Sequence, residues 1–292
     1  MTQPRHPTVT AIRLREYRAR TFRLSPGLQL KTPRQALAFV EERGFIFFWA
    51  IQGIDLPSLW TAVAGNRRVA SEHDDPGHVT WGWKDSLLGQ RRWFYAKLLR
   101  GKSMMVSLKT LPYFYALSDR LGDLEDFQLA YEAGRLSREA RAIADALRLH
   151  GAQHTVALRK LAHLSSQASK RRFDKGLHDL QRGLWVVPVG VAEAGAWRYA
   201  FIYELLDRWL PDVARQARRI RPDTARQHLA GLYLDSVGAA EAAAVRRLFQ
   251  WDRAEVDAAL EALASLGAAV RLEDGRWVSS RVLSGTSRRR GA

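Results

Sequence analysis

Apolar positions recur with a helical period over most of this chain. In "TPRQALAFVEERG", Thr32 occupies a helix N-cap position, Pro33 suits the first helical position, and Gly44 can end the helix. Residues 137–151 and 223–238 repeat this design, each with a polar cap at the start and a glycine at the end. The pattern therefore predicts a chain built mostly from capped amphipathic helices.

The C-terminal third adds a strand signal to the helical pattern. Helices are predicted at residues 224–234, 239–249 and 252–267. The alternating segment "AAVRLEDGRWVSSRVL" then predicts two short strands around Asp274-Gly275. Three helices followed by a two-stranded wing are typical of a winged helix-turn-helix module.

The same order of elements recurs upstream. Helices at residues 137–150, in "TVALRKLAHLS" and at residues 168–183 precede the predicted hairpin "LWVVPVGVAEAGAWRYAFI". Helices at residues 12–21, 33–43 and 56–64 indicate a further copy, in which a Trp-rich insertion replaces the wing.

These repeats predict the fold class and the domain organisation. We expect a mainly α protein with short β-hairpin wings, an α+β fold of tandem winged helix-turn-helix modules. The predicted modules are residues 1–130 with the Trp-rich insertion, residues 131–215, and residues 216–292 with a basic tail.

Charge and composition then narrow the class of partner. Lys and Arg number 46 against 30 Asp and Glu, a net charge of +16, which favours a polyanionic partner. The chain has no cysteine, which excludes disulfides and thiolate chemistry, and no apolar run reaches about 20 residues, the length of a membrane span. With no secretory signal pattern, we expect a cytoplasmic, nucleoid-associated monomer that binds double-stranded DNA, without a membrane partner or cofactor.

Two groups of cations are candidates for phosphate contacts. In a winged helix the third helix enters the major groove. On or beside that helix of the middle module lie Arg159, Lys160, Lys170, Arg171, Arg172, Lys175 and Arg182. A solvated helix face is the alternative interpretation. The third helix of the C-terminal module carries Glu255, Asp257 and Glu261 instead, which favours a packing or interface role.

The second group lies in the Trp-rich insertion. Its cations are Lys84, Arg91, Arg92, Lys97, Arg100 and Lys102. They alternate with Trp81, Trp83, Trp93, Phe94 and Tyr95, and aromatic rings beside cations suit proteins that stack bases and hold phosphates. Alternatively the rings pack the N-terminal domain and the cations surround them.

A metal site has one weak candidate. The segment "EHDDPGH" places Glu72, His73, Asp74, Asp75 and His78 close together. Because Pro76-Gly77 is typical of a turn, we expect a solvated loop here and no metal.

Two long segments resemble a known family. "SSQASKRRFDKGLHDLQRGLWVVPVGVAEAGAWRYAFIYELLDRWLPD" is similar to the middle module of the AlkZ/YcaQ-type DNA glycosylases. "ARQHLAGLYLDSVGAAEAAAVRRLFQWDRAEVDAALEALASLGAAVRLEDGRW" is similar to their C-terminal module. The resemblance covers about residues 32–283 and implies tandem winged helices that excise bulky alkylated bases and unhook interstrand crosslinks.

The resemblance also implies where catalytic residues would stand. The family carries a Gln-x-Gln or Gln-x-Asp motif after a glycine near the end of the second N-terminal helix, and its downstream Leu-Trp matches Leu59-Trp60. The motif then falls on Phe47 and Trp49 in "GFIFFW". Neither side chain can be ionised, and Phe can neither position nor activate water. A shifted alignment would place Gln52 and Asp55 there, with the wrong spacing.

The sequence and this resemblance thus predict a DNA-binding protein of AlkZ-like glycosylase fold that recognises damaged or distorted duplex, with its catalytic motif replaced by apolar residues. One alternative is an active glycosylase using non-standard residues such as Asp55 or Asp85. Another is a winged-helix transcription regulator.

Overall fold

The computed structural model describes residues 9–67 and 75–284. Within them the chain forms two compact units. The first unit combines residues 1–80 with residues 222–292, and the second comprises residues 81–221. The three-module division at residues 130/131 and 215/216 stays a prediction.

The first unit is built mainly from helices. Its N-terminal elements are α1 (Ala11–Thr21), α2 (Pro33–Arg43), β1 (Phe45–Phe47) and α3 (Leu59–Ala64), and helix α4 (Asp75–Leu88) begins here and continues into the second unit. Its C-terminal elements are α12 (Pro222–Val237), β7 (Ala239–Ala240), α13 (Ala242–Phe249), α14 (Arg253–Ser265), β8 (Ala269–Arg271), β9 (Trp277–Ser279) and α15 (Ser280–Ser284).

The second unit continues from α4 with a hairpin and a run of helices. Its first elements are β2 (Phe94–Lys97), β3 (Ser103–Val106), α5 (Leu111–Tyr115), α6 (Asp126–Glu132) and α7 (Arg138–His150). They are followed by β4 (Gln153–His154), α8 (Thr155–Leu161), α9 (Lys170–Arg182), β5 (Val186–Ala192), β6 (Ala200–Leu205), α10 (Leu206–Trp209) and α11 (Asp212–Ala217).

Each unit contains a small three-stranded antiparallel sheet with the same strand order. In the second unit the order is β4-β6-β5, and β5 pairs with β6 from Val186 opposite Leu205 to Ala192 opposite Ala200. In the first unit the order is β7-β9-β8. In both sheets the strand that comes last in the chain lies in the middle. Because these small antiparallel sheets accompany many helices, the protein is a mixed α+β protein.

Capping residues predicted from the sequence are confirmed. The Thr32 hydroxyl accepts from the Gln35 amide at 3.2 Å, and Gly44, with φ 79°, ends α2. Ser137 caps α7 in the same way, accepting from the Ala140 amide at 3.1 Å.

Some elements differ from the predictions in their boundaries or type. Residues 239–240 form strand β7 instead of the start of a helix, because they pair with Trp277 and Val278 of β9. Helix α3 begins at Leu59, three residues later than expected, since Ser58 provides its cap. The Trp-rich insertion forms most of helix α4 and the β2–β3 hairpin.

A buried ion network joins elements inside the second unit. The Arg120 guanidinium binds both oxygens of Asp126 and one oxygen of Asp207, and its carbon lies 3.9 Å from the Trp185 ring centroid. Tyr115 donates its hydroxyl to Asp207 at 2.7 Å. Each buried charge thus has a partner, which burial requires.

No helix in the described part of the chain is both long and apolar enough to cross a membrane.

Candidate nucleic-acid interface

Helix α9 has one face in the core and one in solvent. Phe173, Leu177 and Leu180 are buried in the core of the second unit. Gly176 allows close packing on α7, since a Cβ there would lie 3.0 Å from the Ala140 amide nitrogen. The opposite face is exposed from Lys170 to Lys175 and again at Arg182, and it is half-buried at His178.

Cations occupy that exposed face. Arg171, Lys175 and Arg182 follow one another at helical spacing and are exposed, as are Lys170 and Arg172 in the first turn. The first turn contains no acidic residue. Because the N-terminus of a helix carries partial positive charge, cations there are unfavourable unless an anion binds nearby.

Ion pairs neutralise this face only in part. Lys175 pairs with Asp179 at 2.6 Å, one helical turn away, and Arg172 lies 3.7 Å from Glu139. Both pairs are exposed on the cation side, so a phosphate can displace the carboxylate at little cost.

Arg159 has a different position from the other predicted cations of this region. Its guanidinium donates to the carbonyl oxygens of Leu164, Ser165 and Ser166 at 3.0–3.3 Å. It thus holds the connection between α8 and α9, while Lys160 on α8 is exposed.

The β2–β3 hairpin places further cations beside α9. The Lys97 amide donates to Gln181 Oε1 at 3.3 Å, and a Cβ at Gly101 would lie 2.5 Å from His178 Nε2. Burial, followed by the charges of Lys97 and Arg182, lowers the pKa of His178. The exposed hairpin cations Lys97, Arg100 and Lys102 therefore extend the basic surface of α9. We call these three residues and the α9 cations the α9 basic surface.

Lys84 is a correction to the predicted set. Its side chain is fully buried, so it cannot reach a phosphate on the surface. Its Nζ lies 2.5 Å from Asp85 Oδ1, donates to the Tyr199 hydroxyl at 2.8 Å, and lies 4.4 Å from the Phe201 ring centroid. Burial lowers the pKa of Lys84, opposed by Asp85.

The aromatic residues of the insertion divide between core and surface. Trp93, Phe94 and Tyr95 are buried, which supports the packing interpretation for these three, whereas Trp81 is 41% exposed. Arg91 and Arg92 are exposed, and the Arg91 guanidinium carbon lies 4.2 Å from the Trp209 ring centroid.

The segment "GFIFFW" lies in the first unit. Strand β1 places Phe47 in the core with no exposed surface, and its amide donates to the Pro57 carbonyl at 3.0 Å. Trp49 is half-buried, with its ring centroid 4.9 Å from that of Phe48 and 6.2 Å from that of Trp60. This segment offers an apolar wall and no group that could take or hold a proton.

The polar residues that follow Trp49 are exposed. Gln52 lies in a tight turn beside Gly53, which has φ 76°. Asp55 lines a cleft of about 460 Å³ in the first unit and pairs with Arg18 at 2.9 Å. Arg247 and Arg276 line the same cleft, so Asp55 is a carboxylate among cations.

Asp85 belongs to the second unit. It accepts from the Tyr199 hydroxyl at 3.0 Å and from Lys84 at 2.5 Å. With these two partners, the carboxylate holds α4 against β6.

One surface residue is not predicted by the sequence pattern. Trp197, between β5 and β6, is 91% exposed. The only signal is a tryptophan within the predicted turn "EAGAWRY", where a polar residue is usual.

The described residues contain no group of three or more His, Asp or Glu side chains arranged to hold a metal ion. Of the "EHDDPGH" segment, Glu72, His73 and Asp74 lie outside the described residues. Its remaining residues begin helix α4, so the loop expected at Pro76-Gly77 is wrong. The expectation of no metal or cofactor stays a prediction.

Comparisons with known proteins agree with the architecture. A family model described as AlkZ related matches residues 30–250, which is more than half of the chain. Among solved structures, Streptomyces sahachiroi DNA glycosylase AlkZ is similar, with a TM-score of 0.59 and 11% sequence identity, over 96% of this chain and 72% of that chain. No curated protein sequence matches. The chain therefore belongs to the AlkZ-related family and has an AlkZ-like fold.

Proposed function

We propose that this protein binds double-stranded DNA, recognises damaged or distorted duplex, and does not excise bases. The observation that carries the proposal is the α9 basic surface, three of whose cations lie in the first turn of α9, where there is no acidic residue. Such a surface binds phosphates through both charge and the helix dipole.

The order of elements in the second unit supports a specific docking mode. Helices α7, α8 and α9 followed by the β5–β6 hairpin have the order of a winged helix-turn-helix. In this mode α9 lies in the major groove and the hairpin contacts the backbone or minor groove. The three α9 residues of the first turn, Lys170, Arg171 and Arg172, then meet the phosphates.

The proposed loss of excision rests on the first unit. Cleavage of the glycosidic bond leaves positive charge on the sugar, which a carboxylate or an oriented water stabilises. At the positions where the family motif falls, Phe47 is enclosed in the core and Trp49 presents only an indole.

An active glycosylase is the second candidate function, and Asp55 favours it. This carboxylate is exposed in a cleft whose other charged residues include Arg18 and Arg247, which suit phosphate binding. Asp85 is the weaker alternative, because Lys84 and Tyr199 already occupy its oxygen. The regulator alternative, the expected monomeric state and the cytoplasmic, nucleoid-associated location stay predictions.

The salt dependence of duplex binding tests the proposal. We expect the triple variant Lys170→Ala, Arg171→Ala, Arg172→Ala to bind intact and damaged duplex more weakly, because it neutralises fewer phosphates. The slope of log K against log salt concentration becomes shallower by about 0.9 for each phosphate that is no longer neutralised. Fluorescence anisotropy over a range of salt concentrations measures both quantities.

A charge-matched control removes three exposed arginines outside α9. The variant Arg215→Ala, Arg219→Ala, Arg253→Ala lowers the net charge equally and is expected to retain the wild-type slope. Equal slopes for the wild type and the α9 variant would remove α9 from the interface. A wild-type chain that binds no duplex at low salt would refute DNA binding itself.

A further inference from the structure

The tip of the β5–β6 hairpin presents a single large aromatic ring to solvent. Trp197 is 91% exposed, more than any other large apolar side chain of the described residues, the next being Leu266 at 73%. Tryptophan is rarely left in water, because burying its ring is strongly favourable. The exposed indole is therefore available for contact with a partner.

The backbone around Trp197 is ordered by its own hydrogen bonds. Gly195 has φ 78° and Arg198 has φ 49°, so the chain turns on both sides of the tryptophan. The Arg198 amide donates to the Gly195 carbonyl at 3.1 Å, and the Arg198 guanidinium pairs with Glu193. A Cβ at Gly195 would lie 3.6 Å from Val156, which places the tip beside the start of α8.

A contact with the buried Lys84 fixes the base of the same tip. Tyr199, two residues after Trp197, accepts from Lys84 Nζ at 2.8 Å and donates to Asp85 Oδ1 at 3.0 Å. Its ring packs edge-on against Phe201 with centroids 5.5 Å apart. The indole is thus carried on a hairpin whose base is held to α4, so little backbone entropy is lost when the tip binds.

The charge around the hairpin favours nucleic acid as the occupant. Arg198, which pairs with the exposed Glu193, is adjacent to Trp197. Exposed Lys160 lies on the helix beside the tip, and the α9 basic surface belongs to the same unit. An aromatic face among cations suits a nucleobase whose neighbouring phosphates are neutralised, because every base offers a ring for stacking.

We infer that Trp197 stacks on a nucleobase left unpaired or unstacked in distorted duplex DNA. The hairpin thereby supplies the preference for distorted over intact duplex, and the α9 basic surface supplies general affinity. This inference rests on the proposed function, because it requires that the chain bind duplex DNA.

The full-length variants Trp197→Ala and Trp197→Phe test it with two duplexes. One duplex is intact, and the other carries an abasic analogue with 2-aminopurine, a fluorescent base, opposite the gap. Trp197→Ala is expected to bind the abasic duplex about tenfold more weakly, in line with the loss of one base–aromatic stack. Its affinity for intact duplex changes less than about threefold, because the phosphate contacts remain.

Fluorescence of 2-aminopurine and the salt dependence of affinity distinguish base stacking from a change in phosphate contacts. Wild type quenches the 2-aminopurine fluorescence on binding, Trp197→Ala does not, and Trp197→Phe retains most of both affinity and quenching. The salt slope is the same for all three, since the same phosphates are neutralised in each. Leu149→Ala, which removes a 64% exposed side chain at the end of α7, serves as the matched control and behaves as wild type.

The outcomes distinguish this inference from the proposed function. If Trp197→Ala still prefers the abasic duplex and still quenches 2-aminopurine fluorescence, this inference is overturned and the proposed function is not. Duplex binding unchanged by Trp197→Ala, together with an altered oligomeric state in sedimentation, assigns the ring to a protein contact and also overturns it. A wild-type chain that binds neither duplex overturns both.

Discussion

At the scale of single residues, Phe47 is the position on which the proposed loss of excision depends most. Its side chain has no exposed surface, and its backbone amide is bonded to the Pro57 carbonyl. A nucleotide cannot reach this ring unless β1 leaves the core. A polar side chain here would be buried without the partners that a carboxamide needs.

This position gives a stability prediction. We expect Phe47→Ala to lower the free energy of unfolding by about 3–5 kcal/mol, because it opens a cavity in the core. Phe47→Gln should be at least as destabilising as a conservative Phe47→Leu change, since it also buries an amide. Urea unfolding measures both, and Gln52→Ala, at an exposed turn position, should stay within about 0.5 kcal/mol of wild type. A Phe47→Gln variant as stable as wild type would contradict the buried position.

The sequence predicts the structural role of some residues and not the burial or exposure of others. Thr32 and Ser137 are predicted correctly as caps, because capping depends on the three or four residues that follow. The prediction for Lys84 is wrong because its burial depends on Tyr199 and Phe201, more than a hundred residues away. The exposure of Trp197 is not predicted, because the local sequence pattern does not show whether an apolar ring in a turn is buried or exposed.

At the scale of elements, most helices and both of the predicted hairpins follow from periodicity and turn residues. Strand β7 does not, because two residues carry no period and are defined only by pairing with β9. The interior of the Trp-rich insertion is also not predictable in detail. Its aromatic residues fit a stacking surface and a packed core equally well, and the β2–β3 pairing buries Trp93, Phe94 and Tyr95.

Lys84 is the contact that joins elements in this region. It lies on α4, and its ammonium is surrounded by Tyr95 of β2, by Tyr199 just before β6, and by Phe201 of β6. Burial lowers its pKa below the ordinary value of 10.5. Burying the charged ammonium of Lys84 therefore costs free energy of desolvation, which offsets part of the stabilisation from its contacts.

This pKa shift predicts a pH dependence. Between the folded-state pKa and 10.5 the unfolded chain binds more protons at Lys84 than the folded chain does. The stability of wild type relative to Lys84→Met therefore rises as pH increases toward 10.5, and this gain is lost as pH falls through the folded-state pKa. At pH 7 Lys84→Met should be less stable than wild type by about 1–3 kcal/mol, because the partly buried Asp85 loses its ion-pair partner.

Urea unfolding from pH 7 to pH 10 measures this difference. Lys160→Met, at an exposed position on α8, should differ from wild type by a constant amount over the same range. A constant difference for Lys84→Met as well would mean that its ammonium is solvated.

At the scale of the whole molecule, the net charge of +16 would affect how the proposed DNA partner is found. A strong positive field accelerates association with any polyanion and makes affinity depend steeply on salt. Net charge alone cannot distinguish damaged from intact duplex. We therefore assign affinity to the α9 basic surface and discrimination to the aromatic hairpin tip.

Membership of the AlkZ-related family and the AlkZ-like fold make excision the main rival to binding alone. The candidate carboxylates for that rival are Asp55, paired with Arg18, and Asp85, paired with Lys84. If excision occurs, Asp55→Asn and Asp85→Asn would identify which carboxylate carries it.

The most direct test measures binding and base release in the same samples. Wild-type protein is incubated with duplex containing an alkylated purine, binding is recorded by anisotropy, and alkali then cleaves any abasic strand. We predict saturable binding with no more strand cleavage than in the protein-free control. Protein-dependent release of the alkylated base from the bound duplex would contradict this prediction.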